Sequence, residues 1–166
     1  VLDVVGLDRE GRQLALMLDN TRLLLIELNC RVNFHEGKRE LITSVGYPYG
    51  EEPLELKNID RIVRLAVQHA GDKLVLAALD VDGELLLQSY DIEDESELTE
   101  PESETLLTTE GNVDFMLFDA NAEWMYLANR SGEVVHYRVS DLDDVELMSR
   151  MRLLPPERHL THLTML

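Results

Sequence analysis

The sequence predicts an all-β chain of repeated antiparallel meanders, and three observations carry that prediction. Three segments of the chain align with one another. The turns between their apolar runs carry the Asn, Asp, Ser and Gly chemistry of tight hairpins. The runs themselves are short and punctuated by Val, Ile, Tyr and Thr, which fits strands better than helices.

The segments are VGLDREGRQLALMLDNTRLLLIEL from Val5, AVQHAGDKLVLAALDVDGELLLQSYDI from Ala66 and LFDANAEWMYLANRSGEVVHYRV from Leu117. In each, an apolar residue ends a first strand (Leu7, Val67, Phe118), and a second apolar run starts seven residues later at Leu14, Leu74 and Met125. A third strand follows from Leu23, Leu85 and Val134, which lie 9, 11 and 9 residues beyond the second. The turns Val81-Asp82-Gly83-Glu84 and Arg130-Ser131-Gly132-Glu133 supply the positive φ that a tight hairpin needs. The longest apolar stretch, Leu14 to Leu28, could read as helical, but Asn20-Thr21 interrupts it at a hairpin position.

Between each third strand and the next unit the sequence predicts a fourth: Glu40 to Val45, Glu104 to Thr109 and Val145 to Leu154. Four strands per unit, with units over about 1–50, 60–110 and 111–155, describe a partial β-propeller of about three antiparallel blades. The repeats start 60 and 51 residues apart, somewhat long for a blade, and the surplus falls in loops. HLTHLTML, at 159–166, reads as the opening strand of a fourth unit, and both ends of the chain read as cuts through a larger array. A sandwich or an up-and-down barrel would share the strand spacing without needing the unit-by-unit correspondence. An array cut open exposes an edge strand and a blade face, so self-association is expected.

Composition narrows the function. The 166 residues hold 33 Asp and Glu against 15 Lys and Arg, a net charge of -18, which disfavours nucleic acid and anionic lipid surfaces. At 45% hydrophobic residues the chain can bury a core. No apolar stretch approaches the roughly 20 residues of a spanning helix, and VLDVVGLD reads as an internal segment rather than as a signal peptide. A single cysteine, Cys30, excludes an internal disulfide, and its place at the end of a strand predicts a small, partly buried residue.

The candidate sites are sparse. The run EDESELTEPESE, 93–104, reads as a solvated loop before it reads as a docking surface for a basic partner. Asp80-Val81-Asp82-Gly83-Glu84 resembles the start of a calcium loop, but its Gly falls two positions too early and a hairpin turn already explains it. His159 and His162 would point to opposite faces of a strand, with no third ligand near; His69 reads as a turn residue, and His136 as mid-strand. Phe115, Phe118, Trp124 and Tyr126 cluster in the third unit, where packing between blades accounts for them, Trp124 standing close to the first hairpin turn at a blade edge. No nucleophile motif and no glycine-rich phosphate cradle is present, so no catalytic residue, cofactor or metal is expected. In GYPYG, Tyr47 and Tyr49 flank Pro48 as exposed or interfacial aromatics, and they are the candidate contacts for a protein partner.

The succession LDREGRQLALMLDNTRLLLIEL, LAALDVDGELLLQSYDI, LANRSGEVVHYRVSDLDDVELM and LLPPERHLTHLTML resembles the WD40-like soluble insert of phosphate-type ABC transporter permeases of Gram-negative bacteria. That resemblance implies an inner-membrane parent and a periplasmic position for this region. It also implies partners: a second permease, a cytoplasmic ATPase and a periplasmic phosphate-binding protein. The membrane helices that would carry translocation lie outside the chain, so no transport residue is assigned to it. A stand-alone propeller scaffold is the alternative. A propeller hydrolase or lactonase ranks last, because the histidines do not recur at equivalent repeat positions.

Overall fold

A computed structural model describes residues 3–6, 12–35, 37–92, 98, 100–155 and 157–164. Among them there is no α-helix; thirteen strands and one 3-10 turn form three antiparallel sheets. The first sheet contains β1 (Asp3–Gly6), β2 (Gln13–Met17), β3 (Arg22–His35) and β4 (Lys38–Gly46) in sequence order, with the short β5 (Leu54–Glu55) pairing back onto β3. β6 (Ile62–Ala70), β7 (Lys73–Asp80), β8 (Glu84–Asp91) and β9 (Ser103–Thr108) make the second sheet; β10 (Phe115–Phe118), β11 (Trp124–Ala128), β12 (Glu133–Arg138) and β13 (Glu146–Arg152) make the third. Each sheet is an open meander, as the repeats predict.

All three fourth strands form within two residues of their predicted limits. Two expectations shift. β6 runs on past Val67 to Ala70, so His69 belongs to a strand and not to a turn. The segment 159–164 pairs with no strand; it is tied to the third sheet by the Leu160 amide, which donates to the Arg130 carbonyl at 2.8 Å. A first strand ending at Leu7 lies partly outside the described residues, because β1 is described only to Gly6.

The hairpins between second and third strands share one device. Asp19, Asp80 and Asn129 stand at the end of the second strand in successive sheets, and each turns its side-chain oxygen back onto the turn's backbone. Asp19 accepts from the amides of Thr21 and Arg22 at 3.1 and 3.0 Å. Asp80 accepts from those of Asp82 and Glu84 at 2.8 and 2.9 Å, and Asn129 from that of Glu133 at 3.1 Å. A short carboxylate or amide satisfies turn amides that have no ladder partner.

Two cores hold the sheets together. Ala15, Met17, Leu23 and Leu25 of the first sheet pack on Leu74, Leu76, Ala78, Leu86 and Tyr90 of the second. The opposite face of the second sheet, through Val75, Ala77, Leu79, Leu85 and Leu87, packs on Phe118, Met125 and Leu127 of the third. β6 lies against both β1 and β10, so the first strands of the three sheets stand in series. Arg64 reaches across this seam to the Asp114 carbonyl at 3.1 Å, and the Thr105 hydroxyl donates to the carbonyl of Leu142 in the 3-10 turn Leu142–Asp144.

Gly132 takes φ +80° in the β11–β12 turn, and a Cβ there would stand 2.7 Å from the Leu154 Cβ. Gly37, at the tip of the β3–β4 hairpin, takes φ +76° with open space around it. Gly37→Ala then carries only the left-handed backbone penalty, about 1 to 2 kcal/mol. Gly132→Ala adds a steric clash, and urea unfolding is expected to show it as clearly the more destabilising of the two. Equal losses would mean that the 152–155 segment moves aside freely.

Candidate functional site

The GYPYG segment closes a turn directly after β4, with the Gly50 amide donating to the Tyr47 carbonyl at 3.3 Å. Its two tyrosines separate. Tyr47 is exposed, while Tyr49 is half-buried against the core shared by the first two sheets. The Tyr49 hydroxyl lies 3.1 Å from His69 Nε2, and the rings meet edge to face with centroids 5.9 Å apart. Proline and turn geometry place one aromatic outward and one inward, so Tyr47 alone of the pair offers a free face. Burial, assisted by Glu27, raises the Tyr49 phenol above its ordinary pKa.

On the outward face of the third sheet, alternation sets Trp124, Tyr126 and His136 side by side, since Tyr126 pairs directly with His136 across the β11–β12 ladder. His136 stacks flat on Tyr126 at 4.6 Å between centroids and tilts against Trp124 at 4.8 Å. Trp124 opens β11 and is half-buried, close to the first hairpin turn as its position predicts. The three rings are half-buried, and His136 Nε2 is buried without a hydrogen-bond partner among the described residues.

A cleft of about 550 Å³ opens between the second and third sheets, lined by Lys73, Ser89, Glu102, Asn121, Asp141 and Asp143 among others. Lys73 is held by Glu102 at 2.8 Å, and that carboxylate raises the ammonium pKa. Asp141 accepts from the Asp143 amide at 3.0 Å. Glu102 and Asp141 are thus committed to neighbouring groups.

The remaining candidates disperse. Among the described residues no group of three or more His, Cys, Asp or Glu could hold a metal ion. Asp80 is spent on its turn amides, and His159 and His162 are exposed. Half of the acidic run, residues 93–97 and 99, lies outside the described residues; within the rest Glu102 pairs with Lys73, and Glu104 accepts from Asn58 and Gln88. Cys30 is exposed, which corrects the expectation of partial burial: β3 runs on beyond the sheet, so the residue sits on a projecting hairpin rather than at a strand's end in the core. The sequence points to the hairpin at Asp80 but not to the capping role it shares with Asp19 and Asn129, although an Asp or Asn recurs there before each hairpin.

Cations are distributed singly. Arg22, Arg61, Lys73, Arg138 and Arg150 each face a carboxylate, Asp19, Asp82, Glu102, Glu146 and Glu110 respectively, at 3.0 Å or less. A phosphate-binding cluster needs several such groups aimed at one point. No family model and no curated protein sequence matches the chain.

Burial also raises the pKa of Tyr90 and Tyr137 above the ordinary 10.0, as it does for Tyr49. An unfolded chain ionises these phenols near 10 while the folded chain keeps them neutral. Their contribution is therefore whole below that pH and is lost as the pH rises through it toward the folded values. The urea midpoint is expected to hold to about pH 9 and to fall above pH 10. Tyr90→Phe should flatten that fall, and a midpoint unchanged from about pH 9 to 11 would contradict the assignment.

Proposed function

We propose that the chain is a non-catalytic protein-interaction scaffold, part of a β-propeller, serving as the soluble, periplasmic insert of a phosphate-type ABC transporter permease rather than as its translocation path. The observation that carries the scaffold reading is the serial stacking of three antiparallel meanders through their first strands, with β6 lying against both β1 and β10. Successive propeller blades stack in this manner, each covering a face of the next. The transporter setting rests on the sequence resemblance alone.

In this reading the chain positions other subunits: the paired permease, the ATPase through the parent protein, or the phosphate-binding protein at the membrane surface. The exposed Tyr47 turn and the half-buried Trp124–Tyr126–His136 stack supply aromatic side chains for such contacts. Aromatics at the centre of a contact supply large burial at small entropy cost. Phosphate capture by this region is disfavoured by the net charge of -18 and by the dispersion of its cations into single ion pairs.

Calorimetric titration of phosphate into the chain is expected to show no binding in the micromolar range, and a saturable micromolar isotherm would overturn the scaffold reading. Apolar spans of about 20 residues on both sides of the region in the parent gene are required by the transporter setting. Their absence would leave a stand-alone propeller scaffold.

A further inference from the structure

The β3–β4 hairpin outgrows its sheet. Among the described residues β2 pairs with β3 as far as Glu27, and the Leu28 amide donates to the Arg12 carbonyl at 2.6 Å, but β3 continues to His35 and stays paired with β4 down to the turn at Gly37. The stretch from Asn29 to His35 therefore projects as a two-stranded arm of roughly 23 Å, at about 3.3 Å per residue. Such a ribbon is marginal in water without a third strand or a second layer to cover it.

The arm has one apolar face. The register places Leu28 opposite Val45, Cys30 opposite Thr43, Val32 opposite Leu41 and Phe34 opposite Arg39, and directly opposed residues point to the same side. Phe34 is 77% exposed and Leu41 60%, with Val32 and Val45 near half. The reverse side carries Asn29, Arg31, Asn33, Ser44 and Glu40, with Ile42 its apolar exception. Alternation carries the apolar face back into the sheet through Leu24 and Ile26, on the side turned away from the core packed around Leu23 and Leu25. There Leu24 is half-buried and Ile26 buried, so the exposed apolar face belongs to the arm itself.

We propose that this face binds the same face of a second copy of the chain, arm against arm around a two-fold axis. Three observations select a second copy. The register makes the face self-complementary, since a two-fold crossing lays each Phe34 tip over the Leu28 and Val45 base of the other arm. Its charge permits approach. Residues 28–46 hold three basic and two acidic residues, so the whole acidic excess of the chain lies elsewhere, and here two strongly anionic molecules meet with least repulsion. Face-to-face packing of sheets is also how this chain builds both of its internal contacts. The four most exposed side chains of the face offer on the order of 400 to 500 Å² per copy, below the roughly 800 Å² per partner of a standard interface, which sets the dimer in the micromolar range.

The single cysteine reports on this geometry, because the Cys30–Thr43 and Val32–Leu41 rows straddle the proposed axis. Sedimentation of the chain under reducing conditions is expected to show a monomer–dimer equilibrium in the micromolar range, and a short bis-maleimide should join Cys30 to Cys30. The Phe34→Glu/Leu41→Glu variant should weaken association at least about tenfold and abolish the cross-link, with an unchanged thermal melt because both side chains are exposed. As a check independent of simple loss, Leu41→Glu and Leu41→Lys should each be monomeric alone and dimerise when mixed. A monomer at several hundred micromolar would overturn the proposal and leave the face to a different partner. So would a dimer indifferent to the substitutions, which would place the contact on another surface.

Discussion

In the second sheet, side chains alternate between two cores: Leu74, Leu76, Ala78, Leu86 and Tyr90 enter one, and Val75, Ala77, Leu79, Leu85 and Leu87 enter the other. The outer sheets have no direct hydrophobic contract with each other in these cores; each is anchored by the face of the middle sheet that it covers. Each fully buried leucine contributes about 1.5 to 3 kcal/mol, and both faces of β7 and β8 collect such contributions. On the side of the first sheet, the polar groups of β8 are satisfied by a chain of hydrogen bonds, whereas the Ser89 hydroxyl on the other side is buried without a partner among the described residues. Tyr90 donates to Gln88, Gln88 donates to Glu104, and Asn58 donates to Glu104, which carries the buried amide outward to solvent.

Placing the charge outside these cores leaves the molecule with two kinds of surface. Loops and turns are acidic and salted with single exposed ion pairs, each worth little to stability in water. Exposed apolar side chains gather instead on the projecting arm, which carries almost no net charge, and along β13. A general electrostatic field of this sign attracts basic groups and repels anions such as phosphate.

Much of the fold was legible because hairpin chemistry is local. Gly83 and Gly132 mark turns that need positive φ, and the seven-residue offsets from Leu7, Val67 and Phe118 follow from strand period and turn length. The runs LVLAAL and LLLQSY carry a further signal: without polar alternation, they belong to strands covered on both sides. Less of the candidate site was legible. GYPYG announced a turn with two aromatics, but which tyrosine faces water depends on where His69 lies, twenty residues further on and in the neighbouring sheet. The burial of Cys30 was misjudged because strand pattern alone does not say where β2 stops supporting β3.

Strand order within each meander, the hairpin turns and the acidic exterior thus belong to the sequence, since each depends on residues within about ten positions of one another or on composition alone. The pairing of faces into two cores, the inward turn of Tyr49, the stacking of His136 on Tyr126 and the reach of the β3–β4 arm were decided by the tertiary structure. Those features depend on which sheet covers which, and contacts between distant segments leave no periodic mark on the strands that make them.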